Sequence, residues 1–162
     1  MKRVIISVTN DLSTDQRVDK VANSLHVAGF SVLVVGRAHP DSLVLNKRDY
    51  SIIRFNMSFT KGFLFYLEYN LRLSLFLLNQ KCDILLSNDL DTICANFIVS
   101  KLKKNKLVYD SHELFTDLPE LLGRPITKSI WVFIECLFLK RIKFSYTVSS
   151  SIAKYYNKKY GI

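Results

Sequence analysis

The feature that most constrains this fold is the alternation of short β-branched apolar runs with segments of helical periodicity. Val4–Thr9 is apolar on both faces, which is typical of a strand buried in a parallel sheet. Apolar residues then recur at helical spacing from Val18 to Ala28, and Gly29 provides the left-handed position at which helices commonly end. A second buried strand at Ser31–Val35 completes a βαβ unit, whose crossover is expected to be right-handed.

The same alternation continues to the end of the chain. Further strands are predicted at Ser51–Phe55, Asp83–Ser87, Lys106–Tyr109 and Phe144–Val148. Further helices are predicted at Gly62–Asn79, Asp91–Lys103, Ile126–Leu139 and Ser149–Tyr160. Neither a repeat nor a linker interrupts the pattern, so residues 1–162 are expected to form a single domain. We predict a doubly wound, Rossmann-like α/β fold, with a parallel sheet of about six strands and helices on both faces.

Three local predictions accompany this architecture. Ser13 and Gln16 fit a capping box at the start of the first helix. The helix at Asp91–Lys103 is expected to turn inward the apolar residues Ile93, Ala95, Phe97, Ile98 and Leu102. The three cysteines have no metal-binding or disulfide spacing, and we expect them to be buried small hydrophobic residues, namely Cys82, Cys94 and Cys136.

Several common enzyme signatures are missing. The sequence has no GxGxxG, no GxxxxGK[ST], no HExxH and no GxSxG, so it carries no nicotinamide, P-loop, zinc-protease or hydrolase fingerprint. The loop after the first strand contains no glycine and is poorly suited to close approach of a pyrophosphate. No paired His or Cys spacing indicates a bound metal.

Polar residues follow four of the predicted strands, where ligands bind in sheets of this type. They form four groups: Asn10 to Arg17, Ser87 to Asp91, Asp110 to Glu113, and Ser149 to Ser151. Helix capping alone would account for Asp91 and the serines. It does not account for Asp110, His112 and Glu113, which place three titratable side chains at one strand end. All four groups are expected to share one rim of the sheet.

The sequence also resembles a known family. The matching stretches are Ser7 to Asp11 with Thr14 to Val18, Val34 to Arg37, Tyr109 to Leu121, Trp131 with Glu135, and Tyr146 to Tyr156 with Tyr160 and Gly161. In this order they resemble the N-terminal half of a family 4 glycosyltransferase, which has the two-domain GT-B fold and retains the anomeric configuration. The resemblance covers most of the chain.

The resemblance implies transfer of a sugar from a nucleotide-sugar donor to a glycan or lipid-linked acceptor, without a bound metal. In such enzymes the N-terminal domain mainly holds the acceptor, and the C-terminal domain binds the nucleotide. The sequence ends at Ile162, before any candidate for the nucleotide-reading glutamates of the family. We therefore expect an excised acceptor-side domain that is inactive without its own C-terminal domain.

The resemblance also assigns roles to residues. His112 is expected to reach the reacting sugar, with a neutral imidazole donating a hydrogen bond while Asp110 or Glu113 fixes its tautomer; these two carboxylates are equally open to a loop-orienting role. Acceptor binding is assigned to the polar residues Asn10, Asp11, Asp15, Gln16, Arg17, Asn88, Asp89 and Asp91. Arg17 either grips an anionic or hydroxyl-rich acceptor or only solvates a helix face.

The net charge of +9 points to anionic partners. Apolar residues crowd Phe59–Leu78 and Ile130–Phe144, and lysines lie close to both segments in the sequence. One interpretation is that the protein is cytoplasmic and that these segments bind it peripherally to the anionic inner face of a membrane. The other two interpretations are that the segments are ordinary core, which is favoured for Ile130–Leu139, or that they pack against the missing domain. A nucleic-acid partner is not expected, because no recognition element accompanies the lysines. The alternative function is a non-enzymatic α/β module that binds a ligand or partner.

Overall fold

A computed structural model describes residues 1–162 and contains one six-stranded, all-parallel sheet. The strands are β1 (Arg3–Asp11), β2 (Ser31–Ala38), β3 (Ser51–Asn56), β4 (Ile84–Asn88), β5 (Lys106–Ser111) and β6 (Phe144–Thr147). The helices are α1 (Gln16–Val27), α2 (Gly62–Leu78), α3 (Ile93–Lys103), α4 (Pro125–Leu139) and α5 (Ser150–Tyr160). The strand order is β3-β2-β1-β4-β5-β6. The predicted doubly wound α/β class is therefore confirmed.

The sheet is covered on both faces, as the apolar strand sequences predicted. Along β1, Val4 and Ile6 pack with Val18 of α1 on one face. Ile5 packs with α2 and α3 on the other, in a cluster that includes Tyr69 of α2. A third cluster joins α4 and α5 to β5 around Tyr109, Trp131, Leu139 and Tyr156. All of these side chains are at most 8% exposed, so the core covers the four inner strands, while the edge strands β3 and β6 contain no buried residue.

Two local predictions were wrong. The N-cap of α1 is Asp15, whose carboxylate accepts hydrogen bonds from the backbone N–H groups of Arg17 and Val18, and not Ser13. In α3, Ile98 and Leu102 face outward, while the polar residue Asn96 is buried and accepts a hydrogen bond from Ser7 of β1. Because α3 is apolar on both sides, hydrophobicity alone could not identify its inner face.

The cysteines are only half-buried, not fully buried as expected. All three are free thiols, and burial raises the pKa of Cys94 to about 11. None of the five helices has the length and apolar character needed to cross a bilayer.

Gly36 near the end of β2 makes room for the loop that follows β1. A Cβ at this position would lie 2.6 Å from Cγ of Leu12, a buried side chain that covers Gly36. We expect Gly36→Ala to lower the free energy of unfolding by about 1–3 kcal/mol through overpacking. Urea denaturation measures this loss. Adding Leu12→Ala should remove the clash, so the double variant should lose less stability than the sum of the single variants; additive losses would contradict the explanation.

Candidate functional site

The carboxyl ends of β1, β2, β4 and β5 surround two adjoining cavities that share Asn10, Arg17 and Arg37. The first, here called the loop cavity, has a volume of about 490 Å³ and is lined by Asn10, Asp11, Thr14, Asp15, Gln16, Arg17, Arg37 and His39. The second, here called the cleft, has a volume of about 400 Å³. Its lining consists of Thr9, Asn10, Arg17, Arg37, Phe65, Tyr66, Asp89, Asp91, Glu113, Phe115, Leu118, Pro119, Glu120, Leu121 and Trp131.

The acidic residues of the first loop are engaged within the protein. Asp11 accepts hydrogen bonds from the Ser42 hydroxyl at 2.5 Å and from the backbone N–H of Ser13 at 2.9 Å. Partial burial opposes ionisation, but these hydrogen bonds outweigh it and lower the pKa of Asp11. Asp15 caps α1 and also accepts a hydrogen bond from Asn10 at 2.9 Å. Both carboxylates therefore hold the loop in shape, which restricts what they can offer a ligand.

Two guanidinium groups face the shared part of the cavities. Arg17 is exposed and belongs to none of the ion pairs in the structure. Arg37 is fixed in place, with its Cζ 4.5 Å from the centroid of the Phe65 ring and one Nη donating to the carbonyl of Thr60 at 3.2 Å. Its Nε is buried without a hydrogen-bond partner. The pair thus combines one unpaired, exposed donor and one anchored donor of bidentate hydrogen bonds.

Asp91 and Asp89 supply the acidic wall of the cleft. One oxygen of Asp91 accepts a hydrogen bond from the Thr9 hydroxyl, while the other is buried without a partner. Burial, together with the nearby charge of Asp89, raises the pKa of Asp91 to about 7. Burial likewise raises the pKa of Asp89 to about 6. Asp91 does not cap a helix through its side chain, so capping does not explain this residue.

The backbone of Asp89 has a φ of 56°, in a region that residues other than glycine rarely adopt. Its N–H donates to the carbonyl of Asp110 at 2.9 Å, and its carboxylate accepts from the N–H of His112 at 3.1 Å. Asp89 therefore ties the end of β4 to the end of β5. Backbone conformations of this kind cost about 1–3 kcal/mol and cluster at functional sites.

His112 lies beside this tie, in a buried polar chain. Its Nε2 is 3.2 Å from Oδ2 of Asp110, and the same oxygen accepts a hydrogen bond from the Tyr146 hydroxyl at 2.5 Å. The Asp110 carboxylate raises the pKa of His112 above its usual value. Nδ1 of His112 is buried without a partner. Because Asp110 faces Nε2, a neutral ring would present Nδ1 only as an acceptor. Donation from Nδ1 requires the imidazolium, which differs from the neutral donor expected from sequence.

An aromatic wall faces these polar groups. Trp131 of α4 stacks edge-on against Phe115 at 4.8 Å and against Tyr66 of α2 at 5.0 Å, measured between ring centroids. The sequence reasoning gave no role in the site to Tyr66, Trp131, Arg37 or His39. Arg37 and His39 could have been found, because they follow β2 at the same rim of the sheet.

The structure does not bring every predicted residue to the cavities. Asn10, Asp11, Asp15, Gln16 and Arg17 line the loop cavity, and Asp89, Asp91 and Glu113 line the cleft. Asn88 and Asp110 are buried behind the cleft, and His112 is only 8% exposed and lines neither cavity. Ser149 and Ser150 line a separate cavity with Tyr109 and Tyr156, and Ser149 caps α5 as a helix-capping serine would. No group of three or more acidic, His or Cys side chains is arranged to hold a metal ion.

Comparisons with known proteins identify the fold. No protein-family model matches the sequence, and no curated protein matches it significantly. Solved structures do match. Sucrose-phosphate synthase from Thermosynechococcus elongatus superposes with a TM-score of 0.75 at 12% identity, over 99% of this chain and 45% of that chain. The chain has the fold of one GT-B domain.

Two further structures agree with this assignment. UDP-GlcNAc 2-epimerase from Methanocaldococcus jannaschii gives a TM-score of 0.58 at 16% identity, over 100% of this chain and 43% of that chain. The Streptomyces sp. SF2575 glycosyltransferase SsfS6, complexed with thymidine diphosphate, gives a TM-score of 0.53 at 11% identity, over 89% of this chain and 46% of that chain. This chain therefore spans less than half the length of each of the three. Identities this low establish the common fold alone.

Proposed function

We propose that this chain is the acceptor-side domain of a retaining glycosyltransferase of the family 4 type. It would act on a nucleotide-sugar donor and a glycan or lipid-linked acceptor. The observation that carries the proposal is the composition of the cleft, which sets buried carboxyls and two arginines opposite an aromatic wall. This combination suits a polyhydroxylated ring, since polar groups orient hydroxyls and aromatic surface covers the apolar C–H face.

Different residues of the cleft make different contacts with a bound acceptor. The free oxygen of Asp91 accepts a hydrogen bond from an acceptor hydroxyl when the carboxyl is ionised, and a protonated Asp91 donates one instead. Arg17 and Arg37 donate to hydroxyl, carboxylate or phosphate oxygens. Trp131 and Phe115 exclude water beside them. Positioning and water exclusion are what this half contributes, because stray water would hydrolyse the donor.

His112 is proposed to act at the reacting sugar from beside the cleft. Its neighbours Asp89 and Glu113 line the cleft, and Nδ1, the ring nitrogen that does not face Asp110, has no partner within the protein. An imidazolium there would donate a hydrogen bond to the sugar and offset negative charge on the leaving diphosphate. Asp110 orients the ring, and the backbone carbonyl of Glu113, which accepts hydrogen bonds from Ser111 and Tyr156, helps to hold the loop.

The donor half is proposed to be a C-terminal domain of the same polypeptide. The three neighbouring structures are more than twice as long as the part that this chain matches. One of them, SsfS6, was solved with thymidine diphosphate, which supports a nucleotide-sugar as the donor class. The reading frame beyond residue 162 should encode a second α/β domain with a pair of nucleotide-reading glutamates.

Glycan titration followed by NMR tests the acceptor role. The NMR signals of the Trp131 indole N–H and of the Asp91 backbone amide are expected to shift when an oligosaccharide acceptor is added. Arg17→Ala should weaken binding about tenfold or more through the loss of charged hydrogen bonds. Lys20→Ala is the matched control, since Lys20 is an exposed cation on the same helix outside both cavities.

A sugar-transfer assay, carried out beside this titration, separates an enzyme from a non-enzymatic binding module. Sugar transfer should be absent with the chain alone and present with the polypeptide that includes the donor half. Binding without transfer in that longer polypeptide would indicate a binding module. Absence of glycan-induced shifts, or shifts unchanged by Arg17→Ala, would overturn the acceptor assignment.

A further inference from the structure

The outer surface of the helical layer formed by α2, α3 and α4 is apolar. Along α2, Leu64, Leu67, Leu71, Leu75 and Leu78 are exposed and recur at steps of three and four residues, so they form one stripe. Their inward counterparts, such as Tyr69 and Leu73, are fully buried. The helix is therefore apolar on its buried and its exposed face, which a helix facing water is not.

The helix α4 repeats this arrangement. Ile126, Ile130, Phe133 and Leu137 form an exposed stripe with the same spacing, and Phe133 is 66% exposed. This corrects the favoured expectation that Ile130–Leu139 is ordinary core, because alternate faces of the helix point in and out. Between α2 and α4, Ile98 and Leu102 of α3 are also exposed.

The three stripes belong to one continuous layer. Tyr66 of α2 contacts Trp131 of α4 at 5.0 Å, and Phe97 of α3 contacts Phe138 of α4 at 5.0 Å, between ring centroids. Each helix follows a parallel strand of the same sheet, so the three axes run in the same general direction. The layer is roughly 25 Å long, since α2 has 17 residues.

Basic side chains predominate around this layer, and the exposed Asp117 beside α4 is paired with Lys128. Basic side chains cluster where α3 and α4 end, at Lys101, Lys104, Lys106, Arg141 and Lys143, which line one shallow cavity. The segment 121–143, which contains α4, has five Lys and Arg residues and a single acidic residue, Glu135, which is 1% exposed. On α2 the one acidic residue, Glu68, is paired with Arg72.

We propose that this face lies on the surface of an anionic lipid bilayer, with the apolar stripes among the acyl chains and the basic cluster against the headgroups. Charge complementarity selects lipid over another protein, because the face offers cations and hydrocarbon but no free carboxylate for a protein partner to pair with. The helices lie in the plane of the interface.

This placement brings lipid close to the cleft. Trp131 lines the cleft from the inner side of α4, while Ile130 and Phe133 are on its outer side. The cleft thus opens about one helix diameter, roughly 10 Å, from the proposed bilayer surface. A lipid-linked acceptor would reach it directly. The inference goes beyond the proposed function and does not depend on it, because vesicle binding requires no sugar transfer.

Vesicle co-sedimentation tests the proposal with the 162-residue chain. Vesicles of phosphatidylcholine containing about one-third phosphatidylglycerol should bind the chain, and binding should fall steeply as salt is raised. Vesicles of phosphatidylcholine alone should bind it weakly.

Two variants separate the charge from the apolar stripes. Replacing Lys101, Lys106 and Lys143 by Gln should weaken vesicle binding about a hundredfold, because each lysine charge strengthens binding a fewfold and the three factors multiply. The matched control neutralises the exposed lysines Lys47, Lys154 and Lys158, which lie outside the layer. Leu71→Ser with Phe133→Ser should weaken binding at least about tenfold. Its control is Val27→Ser with Val44→Ser, at positions equally exposed or more so.

Several results would overturn the proposal. They are equal binding to neutral and anionic vesicles, no binding to either kind of vesicle, or a loss of vesicle binding in the control variants as large as that in the variants they control for. A dimer in light scattering that the Leu71 and Phe133 substitutions dissociate would assign the face to a second copy of the chain instead. All four substituted sites of the apolar variants are already exposed, so folding should be retained, which circular dichroism verifies.

Discussion

Replacing Asp91 by Asn is expected to abolish most of the loss of stability that the natural chain undergoes between about pH 4 and pH 7. The Asp91 carboxyl has a pKa of about 7 in the fold, against 3.8 for an ordinary aspartate. Below pH 3.8 it is neutral in both the folded and the unfolded chain, and it then has no effect on pH dependence. As the pH rises, the unfolded chain loses this proton first, so the free energy of unfolding falls until the folded carboxyl ionises as well.

The size of this loss follows from the difference in pKa. Three pH units correspond to on the order of 4 kcal/mol, a large part of the stability of an ordinary domain. The side-chain amide introduced by Asp91→Asn keeps an oxygen for the Thr9 hydroxyl and carries no charge. The variant should therefore match the natural chain near pH 4 and exceed it at pH 8.

Urea denaturation at a series of pH values measures the effect. A smaller slope should remain in the variant up to about pH 6, because the pKa of Asp89 is also raised. Asp41→Asn, at an exposed carboxylate outside both cavities, is the control. An unchanged slope in Asp91→Asn would show that Asp91 is ionised in the fold. The stabilised variant should also bind acceptor more weakly, which is the usual conflict between stability and a strained site.

The second large effect is expected at His112. In the polypeptide that includes the donor half, His112→Ala should lower the rate of sugar transfer about 100- to 1,000-fold, as the loss of a positioned charged donor does. Acceptor binding measured by NMR should change little, since His112 lines neither cavity. A variant that transfers sugar at the natural rate would exclude His112 from the reaction.

The pH profile of transfer distinguishes catalysis by His112 from a purely structural role. The carboxylate of Asp110 raises the pKa of His112, so Asp110→Asn should shift the limb that depends on the imidazolium to lower pH. Tyr146→Phe should shift it to higher pH, because Asp110 loses a competing donor at the oxygen that faces the ring. A pH profile that is identical in the unsubstituted protein, in Asp110→Asn and in Tyr146→Phe would assign His112 a structural role.

The sequence was sufficient to predict the sheet. Strands such as Ile84–Asn88 are short, β-branched or leucine-rich, and bounded by polar residues, so local pattern and final structure agree. The rule that ligands bind at the carboxyl ends of strands led to the edge of the sheet where the loop cavity and the cleft lie. The position of this edge depends on topology, which the alternation of elements determines, and ligand binding there stays a prediction.

The details of the site depend on packing that no local pattern records. Helix capping would have been enough to account for Asp91, which the resemblance assigned to acceptor binding, yet the residue is buried by α2 and β1, which are distant in sequence. His112 has the expected neighbour in Asp110 but is covered, and the aromatic wall comes from three separate segments around Trp131. The outer faces of α2 and α4 were ambiguous for a similar reason, since an apolar helix reveals its exposed side only when its neighbours are known.

The helix α4 carries Trp131 toward the cleft and Phe133 toward the outside, two residues apart on one rigid element. A helix moves as a body, so any shift that draws Phe133 deeper into lipid must move the indole of Trp131 as well. On the proposed membrane placement, the width of the cleft entrance would be mechanically tied to how firmly the domain is seated on the bilayer. A domain detached from the bilayer would have a different entrance from one bound to it, which would favour reaction where lipid-linked acceptor is present.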